Sequence, residues 1–483
     1  MKKNKTITLV ICVTIFLGCR KFIEIAPPKT SIIAEKVFEE SSTANSAMLT
    51  IYGQMYNDFN INPYMLSYLT GISGDELINN FSLFTDIYIN NILANSTSRA
   101  HEVWKSTYKM IYNANAIYEG CNQSTKLDPS VKKQLMAEAL FIRAYWYFYL
   151  VNLYGDVPLA LTTNYNTNNN LLRTSAVQVY AQIIADLKAA QNNLNENYTG
   201  ADALTTSAER VRPNKAVATA LLARVYLFIG DYSSAEGQSS ILIDNDNIYD
   251  LVSIDQVFKK NNKEAIWQVM PTNNPSYNTQ EGFQYTPTAA PPNQGKSTIS
   301  PQLLGAFENG DLRKNIWVGK FIDVTKTPNV DYYYPAKYHQ LAGTSILEYS
   351  VTFRLAEQYL IRAEARNEQN NRIGAIEDLN KLRARARAAV SIDIPNPLPP
   401  LESTLTKDQV KTAILKERQI EMFTEQGHRW FDLKRAKTIN EVMTAVTPAK
   451  GSQTWNGNKQ LWPVPQTEIL NNQKLTQNLG YEQ

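Results

Sequence analysis

Residues Leu222, Ala223, Tyr226, Gly230, Tyr232 and Ala235 follow the order large, small, aromatic, turn glycine, aromatic, small. That is the tetratricopeptide spacing: two antiparallel helices joined at a glycine, with small residues where their axes come close. It constrains the fold because such a pair cannot bury its apolar face alone and needs stacked neighbours. A weaker copy begins near Arg354, with Tyr359, Ala363, Ala375 and Leu379 at comparable offsets and Asn370-Asn371 as the turn. Upstream, Leu135, Ala139, Ile142, Trp146, Tyr149 and Leu153 recur at intervals of four and three. This predicts a helix with one apolar stripe, stopped at Gly155 with Pro158 beyond. Trp104, Tyr108, Ile111, Asn115 and Tyr118 predict another helix, paired with one from about Thr43 to Tyr56. The copies are not contiguous. Between Tyr232 and Arg354 lies a stretch rich in Pro, Asn, Gly and Tyr, including Pro271 to Pro292 and Asp331 to Tyr338, which cannot continue a solenoid. It reads as loops with short helices and a minor strand pair. The expected fold class is mostly α, a tetratricopeptide-like helix-pair scaffold beside a large irregular loop-rich region.

The amino terminus sets an expected address. Lys2, Lys3 and Lys5 precede an apolar run from Ile7 to Leu17 and then Gly18-Cys19, the pattern of a secretory signal cut before a cysteine. The run is too short for a stable membrane span. Cys19 is therefore the expected lipid-attachment residue, and two or three acyl chains hold a protein firmly to a bilayer. Of three cysteines, Cys12 is discarded with the signal and Cys19 takes the lipid, so Cys121 has no partner for an intramolecular disulfide. The chain carries 48 Lys+Arg against 45 Asp+Glu, and the three signal lysines account for the difference, so the mature chain is formally neutral. No dense basic stripe is present, which argues against nucleic acid. Its 27 Tyr and 7 Trp suit uncharged, hydroxyl-rich ligands or protein partners, since each ring joins an apolar face to a polar handle.

Ordered motifs run along nearly the whole mature chain. They include Ala137-Glu138-Ala139 with Arg143-Ala144-Tyr145, then Leu153-Tyr154-Gly155-Asp156-Val157-Pro158-Leu159 and Gly310-Asp311-Leu312-Arg313. Arg354-Leu355-Ala356-Glu357, Tyr359-Leu360, Ala363-Glu364-Ala365 and Leu379-Asn380-Lys381-Leu382-Arg383 follow. The most specific part is Glu417-Arg418, Glu421, Glu425 and Gly427-His428-Arg429-Trp430-Phe431-Asp432-Leu433-Lys434-Arg435, before Leu461-Trp462-Pro463-Val464-Pro465 and Gln477-Asn478-Leu479-Gly480-Tyr481. In these the chain resembles the SusD/RagB outer-membrane nutrient-binding lipoproteins of Bacteroidetes. The resemblance implies a lid over a TonB-dependent, SusC-like barrel transporter that captures oligosaccharide and delivers it without catalysis or cofactor; the alternative is a peptide-capturing or purely scaffolding lipoprotein using the same helix pairs. It also implies a lipid-anchored place on the outer membrane facing the exterior, although Arg20-Lys21-Phe22-Ile23-Glu24 is less acidic than many surface-export signals. The expected divisions are 1–18 as signal peptide, 19–245 as the N-terminal helix-pair region, 246–345 as the loop-rich ligand or partner region, and 346–483 as a C-terminal region completing the same compact unit.

The resemblance places ligand contacts in loops, here about Asp75 to Arg99 and Trp267 to Tyr338. Candidates are Asp75, Phe84, Tyr88 and Asn90 in the first, and Tyr277, Tyr285, Trp317, Tyr332 and Tyr333 in the second, because sugars stack on flat rings and hydrogen-bond to amides and carboxylates. Loop aromatics more often cover the core or face the transporter. Tyr332-Tyr333-Tyr334 cannot all point inward on a strand or helix, so at least one ring is expected outside, beside Asp331 and Lys337. Arg429, Asp432 and Arg435 are spaced three apart, with Glu425 four before Arg429, so a helix would bring these charges together. They read as a structural ion-pair network ahead of a ligand site. The only histidines are His101, His339 and His428, without an HExxH or Cys/His cluster, which leaves no support for a metal centre. Asp75-Glu76 is the most site-like acid pair, but adjacent residues in an extended loop point apart and cannot flank one sugar.

Overall fold

The computed structural model describes residues 34–272, 278–341, 345–451 and 454–481. Its longer helices are α1 (Ser41–Asn57), α2 (Pro63–Ser73), α3 (Arg99–Gln123), α4 (Pro129–Tyr154), α5 (Ala176–Asn193), α6 (Lys215–Ile229), α7 (Tyr232–Ile243), α8 (Leu355–Glu368), α9 (Arg372–Ala386), α10 (Lys407–Glu421) and α11 (His428–Arg435). The strands among the described residues form four two-stranded antiparallel ladders, β1 (Leu77–Ile78) with β5 (Thr298–Ile299), β2 (Val157–Pro158) with β3 (Arg173–Thr174), β4 (Ala265–Val269) with β8 (Ser350–Arg354) and β6 (Val318–Asp323) with β7 (Val330–Pro335). Cys19, Tyr277 and the signal segment lie outside the described residues.

Helix α4 is the axis of the main core. Its start is set by Asp128, whose side chain accepts from the Ser130 and Val131 amides ahead of Pro129 in the first turn. Its end is Gly155 at φ 75° and ψ −127°, a conformation that side chains with a Cβ avoid. The single stripe expected from the sequence is too narrow a description. From Ala137 to Tyr154 nearly every residue is buried, because α3, α5 and α1 enclose the helix. A segment apolar on all sides is what such a position requires. Two charges inside it are matched: Arg143 donates twice to Asp186 of α5, at 2.7 Å each, and Arg212 donates to Glu138 at 2.8 and 3.1 Å.

Helices α6 and α7 form the expected repeat, turning at Gly230 in the left-handed conformation, with Ala223 and Ala235 wholly buried at the crossing. Helices α8 and α9 form the second copy, with Asn370 at φ 68° and Asn371 capping α9 through the Gly374 amide. The two copies are separated in sequence yet stacked in space, since α7 packs against α8. Strand β4 (Ala265–Val269) explains how. It pairs with β8 (Ser350–Arg354), setting Ala265 opposite Arg354, and the Leu355 amide donates to the Glu264 carbonyl at 2.9 Å. The excursion between α7 and α8 thus closes on itself and delivers α8 to the open face of α7. Packing runs α3, α4, α5, α6, α7, α8 and α9 in succession, with α10 on α8.

Candidate ligand-binding face

The excursion and the segment after α2 meet at one place. Strand β1 (Leu77–Ile78) pairs antiparallel with β5 (Thr298–Ile299), joining the two loops named from the sequence. The Ser300 amide and hydroxyl then donate to the carbonyls of Glu76 and Asp75, at 2.9 and 2.5 Å. Around this junction runs a chain of ring contacts: Tyr64 on Tyr68 at 5.5 Å, Tyr68 on Phe84 at 5.3 Å, Phe84 on Phe81 at 5.1 Å, and Tyr285 edge-on to Tyr64 at 5.1 Å. The inner members are buried, while Phe81 and Phe59, which packs on Tyr64 at 6.1 Å, are 43 and 37% exposed, and Phe283 nearby is 43% exposed. Amides stand beside Phe81. Asn79 accepts from the Tyr68 hydroxyl at 2.7 Å and donates to the Phe81 carbonyl at 2.9 Å, while Asn80 donates to the Lys296 carbonyl at 2.8 Å. Phe81 lies against Gly295, where an added Cβ would sit 3.4 Å from Phe81 Cδ2. The next residue, Lys296, donates to the Phe283 and Thr286 carbonyls at 2.7 and 2.5 Å, with its Nζ 5.4 Å from the Phe283 ring centre.

Beneath the rings lies a buried charge layer. Asp75 receives two bonds from Arg429, at 2.8 and 2.7 Å, and is itself buried, so this carboxylate is committed to the scaffold. Glu76 turns the other way, accepting from the Thr424 amide at 3.4 Å, and its second oxygen has no protein partner. Burial, and secondarily the neighbouring Asp75, pushes its carboxyl up to about 8. Lys450 crosses under α2 and donates to the Ile72, Ser73 and Gly74 carbonyls at 2.8, 2.9 and 2.6 Å, and burial lowers its amine to about 7. Tyr88 covers it, half-buried, at 5.0 Å from Nζ to the ring centre.

Several candidates named from the sequence are therefore internal. Phe84 and Tyr285 are buried inside the ring chain, and neither has a free face. Trp317 is fully buried in a separate apolar cluster with Phe258 and Phe423, donating from Nε1 to the Ile254 carbonyl at 2.9 Å. Asn90 is buried at φ 54° and donates to the Ser73 carbonyl at 3.1 Å, so it shapes the loop from within. Tyr332, Tyr333 and Tyr334 lie on β7 (Val330–Pro335), paired with β6 (Val318–Asp323), and all three are half-buried. Lys337 is not beside an exposed ring: it is buried and donates to Glu425 at 2.5 Å. Phe59, Phe81 and Phe283, which the structure exposes, carry no mark in the sequence, because nothing in residue type separates them from their buried neighbours. Only the run Asn79-Asn80-Phe81, amides leading into a ring, hinted at an outer position.

The charged signature is a network, though wired differently from the helical spacing. Glu425 precedes α11 and reaches Arg354 and Lys337, while Arg429 reaches Asp75. Asp432 holds Arg418 at 2.7 Å and Arg435 at 2.9 Å. His428 is buried beside Arg224 and Arg418, and desolvation foremost holds it well below the usual imidazole range.

Comparison with known proteins places this architecture. The SusD family matches residues 305–481, and a family described as starch-binding associating with outer membrane matches residues 23–227. SusD-like protein P2 of Formosa agariphila is 26% identical over 99% of each chain, and its P38 protein is 24% identical over 100% of each. Among solved structures, a SusD superfamily protein of Bacteroides vulgatus aligns with a TM-score of 0.76 at 20% identity, covering 92% of this chain and 100% of that one. A laminarin-binding SusD-like protein aligns with a TM-score of 0.71 at 22% identity, covering 91 and 99%. Surface glycan-binding protein A of Bacteroides uniformis aligns with a TM-score of 0.72 at 21% identity, covering 90 and 98%. The two family descriptions, which cover residues 23–227 and 305–481, and relatives matched from end to end together support a SusD/RagB family protein.

Proposed function

We propose that this protein is a lipid-anchored outer-membrane binding subunit that captures a neutral oligosaccharide and passes it to a SusC-like TonB-dependent barrel without catalysis. The observation that carries the reading is the face at the β1–β5 junction, where solvent-exposed Phe81 stands beside Asn79 and Asn80, exposed Phe283 lies against Lys296, and exposed Phe59 packs on Tyr64. Aromatic faces with amide edges match the alternating apolar and hydroxyl surfaces of a sugar ring. The formal neutrality of the mature chain supports an uncharged ligand, and two of the structural neighbours are described as laminarin-binding and as surface glycan-binding. Asp75 is locked to Arg429, so the acid pair Asp75-Glu76 holds the loop in place and presents no two carboxyls to one glycosidic bond. Tyr88 remains a candidate contact at the edge of the face.

The test is a thermal-shift and calorimetric panel of neutral oligosaccharides and peptides on the mature chain. Phe81→Ala/Phe283→Ala is expected to weaken glycan binding about thirtyfold, two rings at roughly 1 kcal/mol each. A shift with peptides alone would replace this reading with peptide capture. The β6–β7 hairpin is the proposed contact for the barrel or for a distal sugar, because Tyr332 and Tyr333 keep partly open rings there beside the Lys320–Asp331 pair at 2.8 Å. Tyr332→Ala/Tyr333→Ala is expected to lower barrel co-purification or glycan affinity at least fivefold. Unchanged values for both would remove the hairpin from the binding surface.

A further inference from the structure

A second concave site lies away from the β1–β5 junction, on the flank of α3. Trp104, Tyr108 and Tyr112 stand at intervals of four on this helix, so their side chains share one face. Opposite them are the turn of helix Tyr165–Asn168 and the C-terminal helix Gln466–Asn471, and the three walls enclose a cavity of about 250 Å³. Arg99, at the start of α3, sits 5.7 Å from the Phe84 ring of the first site. Tyr112 comes thirteen residues later, about 20 Å along the axis. The two sites are therefore separate surfaces of one helix.

The walls are fixed by the scaffold and their inward groups are not used up by it. Tyr108 donates to the Pro158 carbonyl at 2.8 Å and packs on Trp104 at 5.0 Å, and Asn472 donates to the Leu171 carbonyl at 2.8 Å. Asn168 donates to the Thr162 carbonyl at 2.7 Å, which leaves its Oδ1 buried with no protein partner. The side chains of Asn169, Asn471 and Glu468 form no hydrogen bond or ion pair among the described residues. Tyr112 is 51% exposed at the mouth. Burial, opposed only in part by Lys105, raises the Glu468 carboxyl above its ordinary value. A cleft with ring walls, several unspent amides and one uncompensated acid repels anions. It offers hydroxyl groups both donors and acceptors, and it has room for a pyranose ring.

We infer that this cleft is a second saccharide subsite, taking one neutral pyranose unit against Tyr112 and Tyr108 with Glu468, Asn168 and Asn471 on its hydroxyls. The inference rests on the glycan reading above and adds to it a place and a set of residues outside the joined loops. A second subsite on the far part of α3 would let one long chain, or two short ones, be held by a single protein.

The test uses laminari-, xylo-, manno- and malto-pentaose in isothermal titration of three forms: wild type, Phe81→Ala/Phe283→Ala, and Tyr112→Ala/Glu468→Gln. Crystals of the wild type are soaked in the same sugars. The cleft variant is expected to lose a weaker binding step, or about five- to tenfold in its affinity, while the Phe81→Ala/Phe283→Ala form retains that step. Saccharide density against Tyr112 would agree. Wild-type binding that the cleft variant reproduces, with no density in the cleft, would overturn this inference and leave the β1–β5 face standing. No heat with any of the four sugars would overturn both. Because Tyr112 is exposed and Glu468 only half-buried, the variant is expected to fold, and the wild-type soak reads the cleft even if it does not.

Discussion

Arg354→Ala is expected to cost about 3–5 kcal/mol of folding stability, the range for removing one partner from a buried ion pair. Arg354 is fully buried and donates to Glu425 twice at 2.8 Å, to Glu421 at 2.6 Å, to Glu264 at 3.0 Å and to the Glu421 carbonyl at 2.7 Å. It stands where β8 ends and α8 begins, so one guanidinium ties the return of the excursion to α10 and to the loop before α11. Truncation would leave Glu425 with Lys337 alone in a medium that does not solvate it. Arg354→Lys should recover only part of the loss, since a single ammonium cannot repeat the two-pronged contact. Against the opposing effect of burial, Arg385, Arg354 and Arg313 hold Glu421 well below the usual carboxylate range, and Arg354 and Lys337 lower Glu425. Their folded pKa values lie below the unfolded ones. The stability they contribute is thus present above the unfolded carboxylate pKa and lost as pH falls through the folded values. Urea unfolding at pH 7 and pH 4 checks both points. A loss under 1 kcal/mol at pH 7 would show that the remaining arginines suffice.

Glu76→Gln is expected to stabilise the protein at alkaline pH. The folded pKa of Glu76 is raised to about 8 by burial and by Asp75, against the opposing charges of Arg429 and Lys337. For a raised pKa, the folded state keeps its proton where the unfolded chain has already lost it. The contribution is then fully present below the unfolded pKa and is lost as pH rises through about 8. The difference between variant and wild type should grow from near zero at pH 4 to on the order of 3–4 kcal/mol at pH 8. Glutamine keeps an acceptor for the Thr424 amide and removes the charge. Lys450, whose amine is lowered to about 7, carries the opposite slope, but it is common to both proteins and cancels in the difference. Equal urea midpoints for the two proteins at pH 5 and pH 8 would mean that water reaches Glu76 and that the layer under the binding face is wet.

The motifs that were legible in the sequence are those governed by nearest neighbours along the chain. Gly230 after Tyr226 and Asn370-Asn371 after Ala363 mark turns because left-handed backbone and side-chain caps are local properties, and both turns stand where the spacing set them. Ala223 and Ala235 announce a close helix crossing for the same reason. What the spacing could not supply was the company each helix keeps. The stripe on α4 becomes a helix buried all round only when α1, α3 and α5 surround it, and the separated repeats become neighbours only when β4 and β8 pair. Nor does a ring's identity tell which of its faces another ring will take. Phe84, Tyr285 and Trp317 went inside while Phe59, Phe81 and Phe283 stayed out, because burial is decided by contacts made across hundreds of residues. The ion pairs show the same division. Arg435 found Asp432 at helical distance, whereas Arg429 bonded Asp75 from the far end of the chain, since charge attracts through space and sequence order limits only the pairs that share a helix.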